Sequence, residues 1–77
     1  MKLRDARRRK FYSANDLGEW ADINPGTIYA IEAGRELPTL RIARLLAAAL
    51  EIDPLQVDEF GAALERLSGE RIEAPAN

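Results

Sequence analysis

The chain contains no cysteine and no histidine. The first absence excludes disulfides, thiolate nucleophiles and cysteine-based zinc sites. The second removes imidazole acid–base chemistry and the commonest metal ligand. Aromatic residues are scarce, at 6% of the chain. No uninterrupted apolar run approaches the roughly 20 residues of a membrane-spanning helix. The opening stretch MKLRDARRRK lacks the apolar segment of a secretory leader. No glycine-rich phosphate loop is present. Asp16, Glu19 and Asp22 recur at helical spacing, but without a loop of carbonyls between them they read as a solvated face rather than a metal site. The expectation is a cytoplasmic, non-enzymatic chain with no cofactor, no metal, no membrane contact and no small-molecule ligand.

What is present is enough to fold. The 77 residues are 47% hydrophobic, which suits one small domain with a modest core. The formal net charge of -2 conceals an asymmetry. Residues 1–44 carry nine Lys/Arg against six Asp/Glu, whereas residues 45–77 carry two against seven. One end can face an anionic partner and the other cannot. An isoelectric point near 5.1 argues against strong indiscriminate binding to a polyanion.

Helix boundaries are marked by capping residues. Ser13 followed by Asp16 forms a capping box, with Asp in place of the usual Glu. Asn24-Pro25 is an N-cap with proline at the first helical position. Pro38-Thr39 and Asp53-Pro54 repeat the logic, and Gly34 sits where a helix end needs a left-handed residue. Helices are therefore expected over about residues 2–10, 14–21, 25–33, 40–50 and 54–67.

The apolar spacing agrees. It selects Leu3 and Ala6; Leu17, Trp20 and Ala21; Ile28 and Ile31; Leu40, Ala43, Leu46, Ala47 and Leu50; and Leu55, Val57, Phe60, Leu64 and Leu67. No segment alternates like a strand. The fold class is all-α, five helices in one domain over 1–67, followed by a tail at 68–77.

The order of these residues resembles the lambda-repressor-like, Xre-type helix-turn-helix family over about residues 3–57. The residues that carry the likeness are Leu17, Ile23, Thr27-Ile28, Ile31-Glu32, Gly34, Pro38 and the Leu40…Leu46-Ala47…Leu50 face, with the spellings IEAGRELPTL and ALEIDP. The resemblance implies a compact five-helix fold that binds double-stranded DNA, with the second and third helices as the reading head. It also implies an ion pair between Glu32 and Arg7, and Ile23 as a plug between those two helices. The chain departs from the family at four points. Asp22 and Phe11 stand where glycine is usual, Ala14 replaces a phosphate-holding Gln, and Gly18 replaces a small packing Ala at about 1 kcal/mol in helix propensity.

By the same resemblance, base-facing positions fall at Pro25, Gly26, Tyr29 and Ala30, with Ala33 one turn on. Direct readout favours Arg, Lys, Asn or Gln, and none is there. Thr27, Tyr29 and Ala30 are left for phosphate, sugar and thymine-methyl contact. Asn24, Arg35 and Arg41, with free N–H groups at the helix starts after Ser13 and Asn24, are candidates for phosphate. In the basic run, Arg7 is assigned to Glu32, and Arg9 or Lys10 could reach a flanking phosphate.

The fourth helix has surplus apolar residues, Ile42, Leu45 and Ala49. Together with Phe60, Leu64 and Leu67 they form a candidate dimer or partner surface; alternatively the fifth helix folds back over them. The favoured expectation is a homodimeric transcriptional regulator whose modest specificity comes from paired half-sites. The alternative is a protein-interaction module that keeps this fold without sequence-specific DNA binding.

Overall fold

A computed structural model describes residues 1–61, 63 and 65. The described residues are all-α. Five helices occur, and no strand is found among the described residues. They are α1 (Leu3–Arg9), α2 (Ala14–Ala21), α3 (Pro25–Glu32), α4 (Leu40–Leu50) and α5, whose helical residues are 58–61, 63 and 65. A short 3-10 turn, Pro54–Gln56, separates the last two.

The starts of α2, α3 and α4 follow from side-chain caps. The Ser13 hydroxyl accepts the Asp16 N–H, and the Asp16 carboxylate accepts the Ser13 N–H, each at 3.0 Å. The Asn24 Oδ1 accepts the Gly26 N–H at 2.7 Å and the Thr39 Oγ1 accepts the Ile42 N–H at 3.1 Å. Each bond satisfies a donor that the first helical turn leaves unpaired.

The ends share one device. Phe11, Asp22, Gly34 and Glu51 all lie in the left-handed region, with φ of 60°, 61°, 78° and 59°. After α1, α3 and α4 the two N–H groups past the helix fold back on its last carbonyls. The pairs are Phe11 to Arg8 and Tyr12 to Arg7, Gly34 to Ile31 and Arg35 to Ala30, and Glu51 to Ala48 and Ile52 to Ala47. This is the Schellman arrangement. At the end of α2, the N–H groups of Asp22 and Ile23 both donate to the Gly18 carbonyl. Only one of the four left-handed positions is a glycine. The departures at Phe11 and Asp22 therefore keep the backbone path and accept strain in it.

The core is drawn from every helix: Leu3 and Ala6, Ala14, Leu17 and Ala21, Ile28 and Ile31, Ala43, Leu46, Ala47 and Leu50, then Val57 and Phe60. Four expectations are corrected. Trp20 is 69% exposed, because α2 turns its Ala14–Leu17–Gly18–Ala21 face inward and Trp20 lies to one side of it. The expected single helix over 54–67 is interrupted at Val57, which is extended with φ -101° and ψ 122°. There the chain turns Val57 into the core, and the Asp58 N–H donates to the Met1 carbonyl at 2.8 Å. Leu55 is consequently 70% exposed, while Phe60 is fully buried. Phe60 is thus a core residue and offers nothing to a partner surface. Leu64, Leu67 and the tail at 68–77 lie outside the described residues.

Candidate nucleic-acid interface

The surface of interest is built by α2, the turn over residues 22–24, and α3. Ile28 and Ile31 are fully buried and hold α3 to the core. Glu32 is anchored from the same inward side. Its carboxylate accepts from the Arg7 Nε at 2.8 Å and the Arg7 Nη2 at 3.1 Å. The Arg7 Nη1 donates to the Tyr12 carbonyl at 3.0 Å. One guanidinium therefore ties together α1, the α1–α2 turn and the end of α3. The Glu32 side chain is only 4% exposed, and Arg4 stands 4.0 Å away as a second cation. The hydrogen bond that Arg7 donates to Glu32, reinforced by the carboxylate charge, raises the Arg7 pKa above its usual value against the opposing effect of burial.

With that side fixed, the opposite side of α3 faces outward. Gly26 and Tyr29 are exposed, Ala30 is half-buried, and Ala33 is exposed beyond the helix end. Pro25 and Thr27 are half-buried at its edges, and Asn24 is exposed at its start. The face is smooth. Apart from Tyr29, which is 52% exposed, the middle of this face, Gly26, Ala30 and Ala33, carries nothing larger than a methyl group.

The N-terminus of α3 differs from the sequence expectation of free N–H groups. Pro25 has none. The Gly26 N–H is taken by the Asn24 side chain, and the Thr27 N–H donates to the Asn24 carbonyl at 2.9 Å. The helix start is sealed by its own cap, and Asn24 keeps only its amide NH2 for an external acceptor.

Exposed cations follow α3 in the chain. Arg35 follows α3 directly, and Arg41 opens α4; both are exposed. Arg44, one helical turn from Arg41 and also exposed, joins them without having been singled out by sequence reasoning. Its spacing from Arg41 was the available signal. Among the described residues, none of the three arginines is in an ion pair. Lys10, a candidate for phosphate, is instead paired with Glu51 at 2.7 Å. The outer groove of the α2–α3 elbow is lined by Asn15, Gly18, Glu19, Asp22, Ile23, Asn24 and Pro25. Its two carboxylates disfavour phosphate there. The expected apolar stripe on α4 is partly covered, with Ile42, Leu45 and Ala49 half-buried against the core.

No helix among the described residues is long and apolar enough to cross a membrane. No curated protein and no solved structure matches the chain significantly. The family description "Helix-turn-helix domain" matches residues 1–60. With capped α2 and α3 joined by a left-handed turn, and with α3 exposed on one side, the chain belongs to the helix-turn-helix domain family, whose members are in general DNA-binding regulators.

Proposed function

We propose that the chain is a small transcriptional regulator of the Xre, lambda-repressor-like type that places α3 in the major groove of double-stranded DNA. The observation that carries this reading is the exposed, smooth outer face of α3; the exposed Arg35, Arg41 and Arg44, which follow α3 in the chain, supply cations for phosphate. A face of Gly26, Ala30 and Ala33 lets the helix backbone approach the groove floor closely. It provides no bidentate partner for a base edge. Tyr29 and Thr27 are left to touch sugar, phosphate or a thymine methyl. Affinity then rests on phosphate contacts and DNA shape, and intrinsic specificity is modest.

A homodimer compensates for weak reading by placing two heads on half-sites about 34 Å apart. Ile42 and Leu45 on α4, with Leu64 and Leu67, are the proposed contact. The decisive measurement is a titration against random duplex DNA at low and at high salt. Salt-sensitive binding is the expected result, and its absence even at low salt overturns the reading. Selection of bound duplexes from a random pool should then enrich a palindrome.

A second reading is a protein-interaction module that retains the fold. It is favoured by the exposure of Trp20, Leu37 and Leu55 and by the acidic second half. Leu45→Asp separates the two. Conversion of a dimer to a monomer, seen by sedimentation, supports the first reading. Loss of a defined heterologous partner with the fold intact supports the second.

A further inference from the structure

Phe11 is 94% exposed, the highest value for any large apolar side chain among the described residues. Its backbone is left-handed, with φ of 60°, a conformation that costs an L-residue free energy. Both neighbours are held. Lys10 pairs with Glu51, and Tyr12 packs against the core. The Phe11 N–H donates to the Arg8 carbonyl at 2.9 Å, and the Tyr12 N–H to the Arg7 carbonyl at 3.2 Å. These bonds fix the turn and hold the ring out. Neither the strain nor the exposure stabilises the fold. A residue kept in that state points to a contact made outside the chain.

The turn that carries Phe11 is tied to α3. The Arg7 Nη1 donates to the Tyr12 carbonyl, while its Nε and Nη2 hold Glu32 at the end of α3. After the Glu32 hydrogen bond, the Tyr29 phenol is among the groups that act on the Arg7 charge, so the turn borders the Tyr29 edge of α3. The α1–α2 turn is therefore a shoulder beside that helix. An α-helix with its side chains is about 10–12 Å across, and the major groove is about 12 Å wide. A helix seated there fills the groove, and whatever flanks it meets the sugar-phosphate wall.

Charge selects the same partner. Arg8 and Arg9 precede Phe11 and are exposed. Among the described residues, neither is in an ion pair. An apolar ring beside two free guanidinium groups suits a deoxyribose between phosphates. Trp20, 69% exposed, has the opposite surroundings. The exposed Asp16 and Glu19 accompany it on α2, and carboxylates repel phosphate.

We propose that Phe11 is a DNA-contact residue whose ring packs on a deoxyribose of the strand bordering the groove that α3 occupies, with Arg8 and Arg9 on the adjoining phosphates. The proposal rests on the DNA-binding reading above and extends the contact to the turn before α2. Glycine is usual at this position in the family that the chain resembles, so the ring is an addition of this chain. A phenyl ring on the backbone reads no base edge. It adds affinity alike on every sequence, which suits a protein whose α3 face offers few long side chains.

The test uses Phe11→Gly and Phe11→Asn in the full chain. Both residues accept the left-handed backbone, and both remove the ring. Thermal melts should lie no lower than wild type. Affinity for random duplex should nevertheless fall about fivefold, the effect of uncovering about 40 Å² of apolar surface. The loss should be the same on any selected duplex, with the salt dependence retained because no charge has changed. Wild-type affinity in both variants overturns the proposal. So does a joint loss of stability and affinity, which would make the ring a packing element. Fluorine NMR gives a direct readout, because the chain has two phenylalanines and the other, Phe60, is fully buried. With fluorinated phenylalanine, the Phe11 resonance should move on adding random duplex while that of Phe60 stays. An unmoved Phe11 resonance at saturation sinks the proposal and leaves the DNA reading standing. A Phe11 shift that follows protein concentration without DNA assigns the ring to a second copy and also overturns it. If the wild-type protein binds no duplex even at low salt, the DNA reading itself falls and takes this contact with it.

Discussion

Arg7 holds both carboxylate oxygens of Glu32 across 25 residues of chain, at 2.8 and 3.1 Å. The pair fixes the inward side of α3 and so determines which side faces out. A buried carboxylate deprived of its partner is costly, about 3–5 kcal/mol for a fully enclosed pair. Arg4 at 4.0 Å offers partial replacement. Arg7→Ala should therefore destabilise the fold by about 2–4 kcal/mol in urea denaturation. Adding Glu32→Ala should cost less than the sum of the two single changes. Strict additivity would mean that the two side chains are not coupled.

Phe11 is 94% exposed and has φ of 60°. Its side chain contributes little packing, and its backbone is strained. Phe11→Gly should raise stability by about 0.5–1 kcal/mol, the difference between relieved strain and the added freedom of the unfolded chain. Gly34→Ala should do the reverse by a similar amount, since the space around Gly34 is open and only its φ of 78° opposes a side chain. Thermal melts of both variants measure the pair.

Lys10 and Glu51 form an exposed ion pair that joins the end of α1 to the end of α4. The hydrogen bond and charge of Lys10 hold the Glu51 carboxyl below its ordinary 4.5, and Glu51 raises Lys10 above its ordinary 10.5. The depressed carboxylate contributes stability above about pH 4.5, and the contribution is lost as pH falls through the lower folded value. The raised ammonium contributes below about pH 10.5, and that contribution is lost as pH rises through the higher folded value. Both groups are exposed, so salt should weaken the effect. An NMR titration of the Glu51 carboxyl should show its midpoint rising towards 4.5 in Lys10→Met. An unmoved midpoint would refute the pairing in solution.

The break at Val57 separates two apolar residues that one continuous helix would place together. Phe60→Ala should cost about 3–5 kcal/mol, as for a buried aromatic. Leu55→Ala should stay within about 0.5 kcal/mol, as for a surface position. Denaturant midpoints of the two variants distinguish the observed break from an uninterrupted helix over 54–67.

Much of the α2–α3 unit was legible from residues close together in the chain. Ser13 and Asp16, or Asn24 and Gly26, meet within a single turn, so their caps depend little on the rest of the fold. Ile28 and Ile31 reveal their burial by helical spacing. Trp20 and Leu55 do not reveal their exposure, because apolar character states only what a residue tolerates. Which apolar side chains are covered depends on how the helices stack. The same applies to Lys10, whose place in a basic run suggests phosphate but whose partner, Glu51, comes from the other half of the chain.

The sequence by itself determined the starts of α2, α3 and α4, the all-α class and the chemistry of the α3 face. These rest on short-range hydrogen bonds, on hydrophobic periodicity, and on the absence of long polar side chains at Gly26, Ala30 and Ala33. Only the tertiary structure decided the meaning of Gly18. Taken locally, it is a weak helix residue; in the folded chain it leaves room for the Ile23 carbonyl and the Pro25 ring. Propensity is a property of one residue in its helix, whereas a steric limit exists only once two backbones have been brought together.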